Sequence, residues 1–177
     1  LIDEGGCRLV MEHGNLKRVG GEWQTIHLQY DYESMIIVAN VVLSSEQQKP
    51  VVTRVRTIDH NSFEVKLQNP TGEEVAYHAL TYFVVEEGTY TEAEHGINLE
   101  AHRLEASTVS SVAAWQLDPQ TYENTYQEPV ILGQVMSYND PRWSSFWSSS
   151  IADRASAADV LGFSLGRQVG EDPDTDR

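Results

Sequence analysis

At 177 residues the chain is long enough for one or two small domains, each with a modest core. Its 40% hydrophobic and 9% aromatic content marks a globular polypeptide, and no apolar run approaches the roughly 18–20 residues of a membrane-spanning helix. A formal net charge of -15, from 27 acidic and 12 basic side chains, argues against nucleic acid or anionic membranes as partners and favours a salty medium or bound cations.

The first residues, Leu1, Ile2, Asp3 and Glu4, give neither an initiator Met nor a basic, apolar leader, so the sequence reads as a mature product or a fragment. Cys7 is the only cysteine and no intrachain disulfide is expected, which is compatible with a secreted bacterial protein. Ile26, Leu28, Tyr30 and Tyr32 alternate with His27, Gln29 and Asp31, the period of a half-buried strand. Residues 35–42 form an apolar run of strand length, interrupted by Asn40. Residues 50–56 are rich in β-branched side chains, and Asp59, His60 and Asn61 suit a tight connection into the next strand. There Phe63, Val65 and Leu67 alternate with Glu64, Lys66 and Gln68, before the turn chemistry of Asn69, Pro70, Thr71 and Gly72. A further strand is expected over 79–86, ending at Glu87 and Gly88. Residues 151–161 are the best helix candidate, without a convincing pattern. Short strands separated by turns predict an all-β fold, a sandwich or a barrel.

A segment occurs twice. Residues 32–41 (Tyr32, Ile36, Ile37, Val38, Val41) are echoed 94 positions later by residues 126–135 (Tyr126, Val130, Ile131, Leu132, Val135). Trp23 and Trp115 precede the two tyrosines, and Met11-Glu12 corresponds to Leu99-Glu100. The repeat predicts two tandem domains, residues 1–96 and 97–177. Counting strands against it places the last strand of the second copy at or beyond residue 173. That copy is therefore expected to be incomplete, and either the protein continues or another chain supplies the strand by β-augmentation.

The run 50–56, the strand 62–68 and the stretch 80–88, with Trp23 upstream and the strand after Tyr32, resemble the core of H-type lectin-like domains. More closely, residues 84–91, 133–140 and 169–174 are similar to a tandem module of large secreted bacterial proteins. The resemblance implies a six-stranded antiparallel sandwich, often trimeric, that binds sugars without catalysis. The duplication and the missing disulfide depart from the animal lectins, and their sugar-contacting residues have no one-to-one match here.

Candidate chemistry is sparse. Gly162, Ser164 and Gly166 match the G-x-S-x-G pattern, but the last histidine is His102, so no base follows the serine. Asp172, Asp174 and Asp176 have the opening spacing of a calcium loop, although Arg177 stands where the turn glycine belongs; Glu86, Glu87, Glu92 and Glu94 form a second acidic group. Solvated acidic loops are the alternative for both, and Ca2+ is the one cofactor indicated as possible. Tyr138, Asn139, Asp140, Arg142, Trp143 and Trp147 combine rings that stack on sugar C–H faces with groups that satisfy hydroxyls. Filling the second core is the competing use of the tryptophans.

The expected function is a non-catalytic, extracellular carbohydrate-binding or adhesive module with a glycan partner. The alternative is a structural repeat of a filament or surface layer, with a homo-oligomer or fibre neighbour completing the second sheet.

Overall fold

The structure, a computed structural model, describes residues 8–42, 50–105, 109–110, 118–152 and 156–169. In chain order its elements are β1 (Met11–Val19), β2 (Gln24–His27), β3 (Met35–Val42), β4 (Val52–Asp59), β5 (Ser62–Gln68), β6 (His78–Glu86), β7 (Gly88–Tyr90), a one-turn helix α1 (Glu92–His95), β8 (Leu99–Ala101), β9 (Val109–Ser110), β10 (Pro119–Gln120), β11 (Ser144–Ser149) and β12 (Phe163–Val169). The molecule is all-β. No helix among the described residues is long and apolar enough to cross a membrane.

Strands β1 to β6 form two three-stranded antiparallel sheets, ordered β1-β6-β3 and β2-β5-β4. Each is amphipathic at period two, and the apolar faces meet. Met35, Ile37 and Ala39 of β3, with Leu80 and Val84 of β6, pack against Ile26, Val55, Phe63, Val65 and Leu67 from the other sheet. Full burial of each large aliphatic or aromatic side chain in this sandwich-like core contributes about 1.5–3 kcal/mol. The outer face of the β1-β6-β3 sheet is also covered: Val85, Phe83 and Ile36 pack on Tyr90, Leu99 and Ala101 of the β7-β8 hairpin. Strand β1 is rich in polar residues and has no apolar alternation of its own. Tertiary contact makes it a strand, because Gly14 lies opposite Tyr82 and the tyrosine ring occupies the space that a Cβ would need.

The second half of the described residues builds one sheet, ordered β10-β12-β11, with β9 pairing parallel to β12. At the repeat spacing β10 falls on β2 and β11 on β4, whereas β12 lies seven residues beyond the place of β5. Residues 126–135, the echo of the β3 region, form no strand. Nor do the described residues among 151–161 form a helix; Ser150 and Asp159 tie that connection together instead.

The alternation expected from Ile26 to Tyr32 ends early, at His27. Leu28 N–H bonds to Asn61 O (2.8 Å) and Tyr32 N–H to His60 O (2.7 Å), which bends the chain around the β4-β5 turn.

Candidate functional site

Residues 134–142 hook around β4, the edge strand of its sheet. On the inner side Gln134 Nε2 donates to Thr53 O (3.0 Å), and Ile37 N–H points at Met136 Sδ (3.4 Å). Thr53 Oγ1 also donates to Ala39 O. Met136 and Thr53 thus cover the flank of β3 that no strand pairs. On the outer side the chain crosses Arg54, which alternation places on the wet face but which is fully buried beneath it. Arg54 donates to Gln68 Oε1 (3.0 Å) and to the carbonyls of Asp140 (2.8 Å), Ser137 (3.4 Å) and Arg142. Gln68 Nε2 adds a bond to Pro141 O (2.7 Å).

The same outer face carries an array of cations and rings. Trp23 meets Tyr138 edge to face at 5.1 Å. Arg56 lies 4.4 Å from the Trp23 centroid, while Lys66 Nζ lies 5.0 Å from Trp23 and 4.4 Å from Tyr138, to whose hydroxyl it also donates (3.0 Å). Such contacts are each worth about 0.5–2 kcal/mol. Beside this array an open cleft of about 490 Å³ runs from Trp23 to Tyr77, floored by Lys66 and Gln68 and rimmed by Glu22 and Glu74. Tyr77 is 63% exposed, with Arg18 stacked 4.0 Å from its centroid and Gly20 against its ring edge.

The six residues expected to touch ligand are divided by the structure. Tyr138 joins Trp23 and Lys66, and Asn139 sits exposed beside it. Asp140 and Arg142 form a pair at 2.8 Å, and Arg167 of β12 reaches the same carboxylate at 3.1 Å. Trp143 is half-buried, and its indole N–H finds no hydrogen-bond partner among the described residues. Trp147 lies flat over Gly166, its cross-strand neighbour in β12, with ring atoms where a Cβ would be. Such a glycine lets the indole pack on the sheet backbone, so Trp147 serves the second sheet. The cleft was missed by sequence reasoning because Trp23 and Tyr77 are far apart in sequence. The available signal was an aromatic residue beside each glycine-bearing turn, after Gly20-Gly21 and after Gly72.

Asp140 is held well below the usual carboxylate range, first by its hydrogen bonds from Arg142, against the opposing effect of burial, with Arg167 adding attraction. A lowered pKa means stability that is present above the unfolded value of about 3.9 and lost as pH falls below it. Asp140→Asn is therefore expected to cost about 1–2 kcal/mol at neutral pH, and to flatten the loss of stability on acidification. Urea unfolding at pH 7 and below pH 4 measures both; equal acid slopes for the two proteins would remove the claim.

Other carboxylates anchor loops. Glu12 accepts from Gln29 N–H (3.0 Å), Tyr30 N–H (3.4 Å) and Tyr32 OH (3.0 Å). Glu100 accepts from Glu123 N–H (3.0 Å) and Asn124 N–H (2.6 Å), and also bonds the Tyr126 hydroxyl. These recipients stand 94 residues after their counterparts, so one carboxylate–tyrosine latch appears in both copies of the repeat. Glu86 accepts from Glu33 and Ser34 N–H, and Glu87 from Arg103 N–H and Ser34 Oγ, so half of the second acidic group is engaged in loop closure. Among the described residues no group of three metal-ligating side chains converges. Asp172, Asp174, Asp176 and Cys7 lie outside the described residues.

Ser164 is buried in the sheet, opposite Ser149 and Pro119, with its hydroxyl unpartnered among the described residues. It therefore lacks the strand–turn–helix setting of a nucleophile elbow. Comparison with protein-family models, curated proteins and solved structures finds no match for this chain.

Proposed function

We propose that the chain is a non-catalytic carbohydrate-binding module of a secreted bacterial protein, acting outside the cell, with its sugar site in the cleft between Trp23 and Tyr77. The observation that carries this reading is the exposed ring of Tyr77 across a polar cleft from Trp23. Its volume lies within the roughly 300–1,000 Å³ typical of small-molecule sites. A pyranose offers an apolar C–H face to a ring and hydroxyls to neighbouring amides and charges. Tyr77 would supply the ring, and Gln24, Gln68, Glu22, Glu74 and Lys66 the polar partners. The cations stacked on Tyr77 and Trp23 hold both rings in place before ligand arrives. Pre-ordering of that kind lowers the entropy lost on binding.

The architecture in this reading is two tandem sandwiches, residues 1–96 and 97–177. The repeated latch and the correspondence of β10 and β11 with β2 and β4 support it. Linked modules of this type gain avidity from weak individual sites.

A glycan array probed with and without calcium tests the function. Retention of at least one glycan class is expected, with Tyr77→Ala weakening it roughly tenfold. No sugar bound under either condition would remove the reading; full retention by Tyr77→Ala would remove the site.

A further inference from the structure

We infer that the glycan taken by the cleft between Trp23 and Tyr77 carries free amino groups, the class of 2-amino-2-deoxy sugars left unacetylated. The inference rests on the sugar reading above and specifies the charge of its ligand. Two cations, Arg18 and Lys66, and three carboxylates, Glu22, Glu73 and Glu74, line the cleft.

Both cations are already engaged. Arg18 is stacked 4.0 Å from the Tyr77 centroid. Lys66 is half-buried, donates to the Tyr138 hydroxyl (3.0 Å), and lies 4.4 Å from the Tyr138 centroid and 5.0 Å from that of Trp23. A carboxylate or sulfate on a sugar would compete with these rings for its counter-charge.

Glu22 and Glu74 are in the opposite state. Both are exposed, and neither makes a hydrogen bond or ion pair among the described residues. Glu22 directly precedes Trp23, and Glu74 stands three residues before Tyr77, so each ring has a carboxylate on its own turn. A sugar seated by its C–H face on Tyr77 directs its substituents sideways, toward the rim that these carboxylates form. An ammonium there donates charge-assisted hydrogen bonds, stronger than those of a hydroxyl, whereas an N-acetyl group has no charge to offer.

The rest of the molecule acts in the same direction. A net charge of -15 draws polycations in and repels uronic or sulfated polymers. That field acts on any polycation, so the share of the cleft is read from variants that leave the field nearly intact.

The test compares oligomers of glucosamine and galactosamine with their N-acetylated counterparts and with uronic acid oligomers. It uses the whole chain at about pH 6, where carboxylates are charged and a free amine is protonated. The amino form is expected to bind roughly fivefold more tightly than the acetylated form of the same oligomer, and the uronic acid oligomers not at all. Glu22→Gln combined with Glu74→Gln removes only two of 27 acidic side chains, yet should make the amino and acetylated forms bind alike. Tyr77→Ala should weaken the amino form roughly tenfold, because attraction by the field alone needs no ring. Equal binding of the two forms by the parent chain, retention of uronic acid oligomers, or an undiminished preference in the double variant would overturn the inference and leave the sugar reading standing. Full retention of the amino form by Tyr77→Ala would overturn it as well. If no oligomer is bound, the sugar reading falls with it.

Discussion

Arg54→Ala is expected to destabilise the protein by about 3–5 kcal/mol, the range for removing one member of a buried, charge-assisted network. The side chain is fully buried and donates to three main-chain carbonyls of the 137–142 loop and to Gln68. Its loss strands those acceptors out of water and removes the cation 4.8 Å from the Tyr138 ring. Chemical denaturation gives the magnitude, and amide exchange locates it, with protection lost first around residues 137–142. Arg54→Met separates the causes, because it restores volume but no donor. A methionine variant as stable as the parent would show that Arg54 acts by packing alone.

Glu12→Ala is expected to cost about 2–4 kcal/mol, from two backbone amides and a buried phenol left without their acceptor. Tyr32 is buried in the first core, so the damage reaches the packed interior. Glu100→Ala removes the matching latch around the half-buried Tyr126 and should cost less than half as much. Tyr32→Phe combined with Glu12→Ala should fall short of the sum of the single effects by about 1–2 kcal/mol. Additive behaviour would show that the hydrogen bond between them contributes nothing. There is an alkaline counterpart. Burial first, and then the bond to Glu12, push the Tyr32 phenol upward. A raised pKa gives stability that is full below the unfolded value of about 10 and lost as pH rises beyond it. Tyr32→Phe should therefore flatten stability above pH 10, read by denaturant midpoints across that range.

Much of the first half was legible because its strands obey their own alternation. The apolar run at 35–42 and the alternation at 62–68 became β3 and β5 with those bounds, and the expected connection at residues 59–61 joins β4 to β5. β1 was not legible. Glu12, Gly14, Asn15, Lys17 and Arg18 give no apolar face, and the strand depends on Tyr82 from a distant part of the chain. The opposite failure occurs at 126–135, where apolar content is ample and no strand forms. A strand needs a partner, and local composition cannot report whether one is present. The candidate site divides in the same way. Tyr138 could be picked out as a ring beside polar groups, but its juxtaposition with Trp23 and Lys66 arises only when the chain crosses the outer face of another sheet. Asp140 was legible as a polar group beside the rings, but its pairing with Arg142 and with Arg167 of a distant strand was not.

The hook around β4 decides where the chain could be cut. The flank of the first core is covered by Met136, and Arg54 is solvated by carbonyls from residues 137, 140 and 142. A cut near residue 96 would bare that flank and take three carbonyl acceptors from Arg54. The six strands of the first two sheets therefore draw on residues 134–142 as a clasp, and a shortened chain that kept every strand of that core would still lack it.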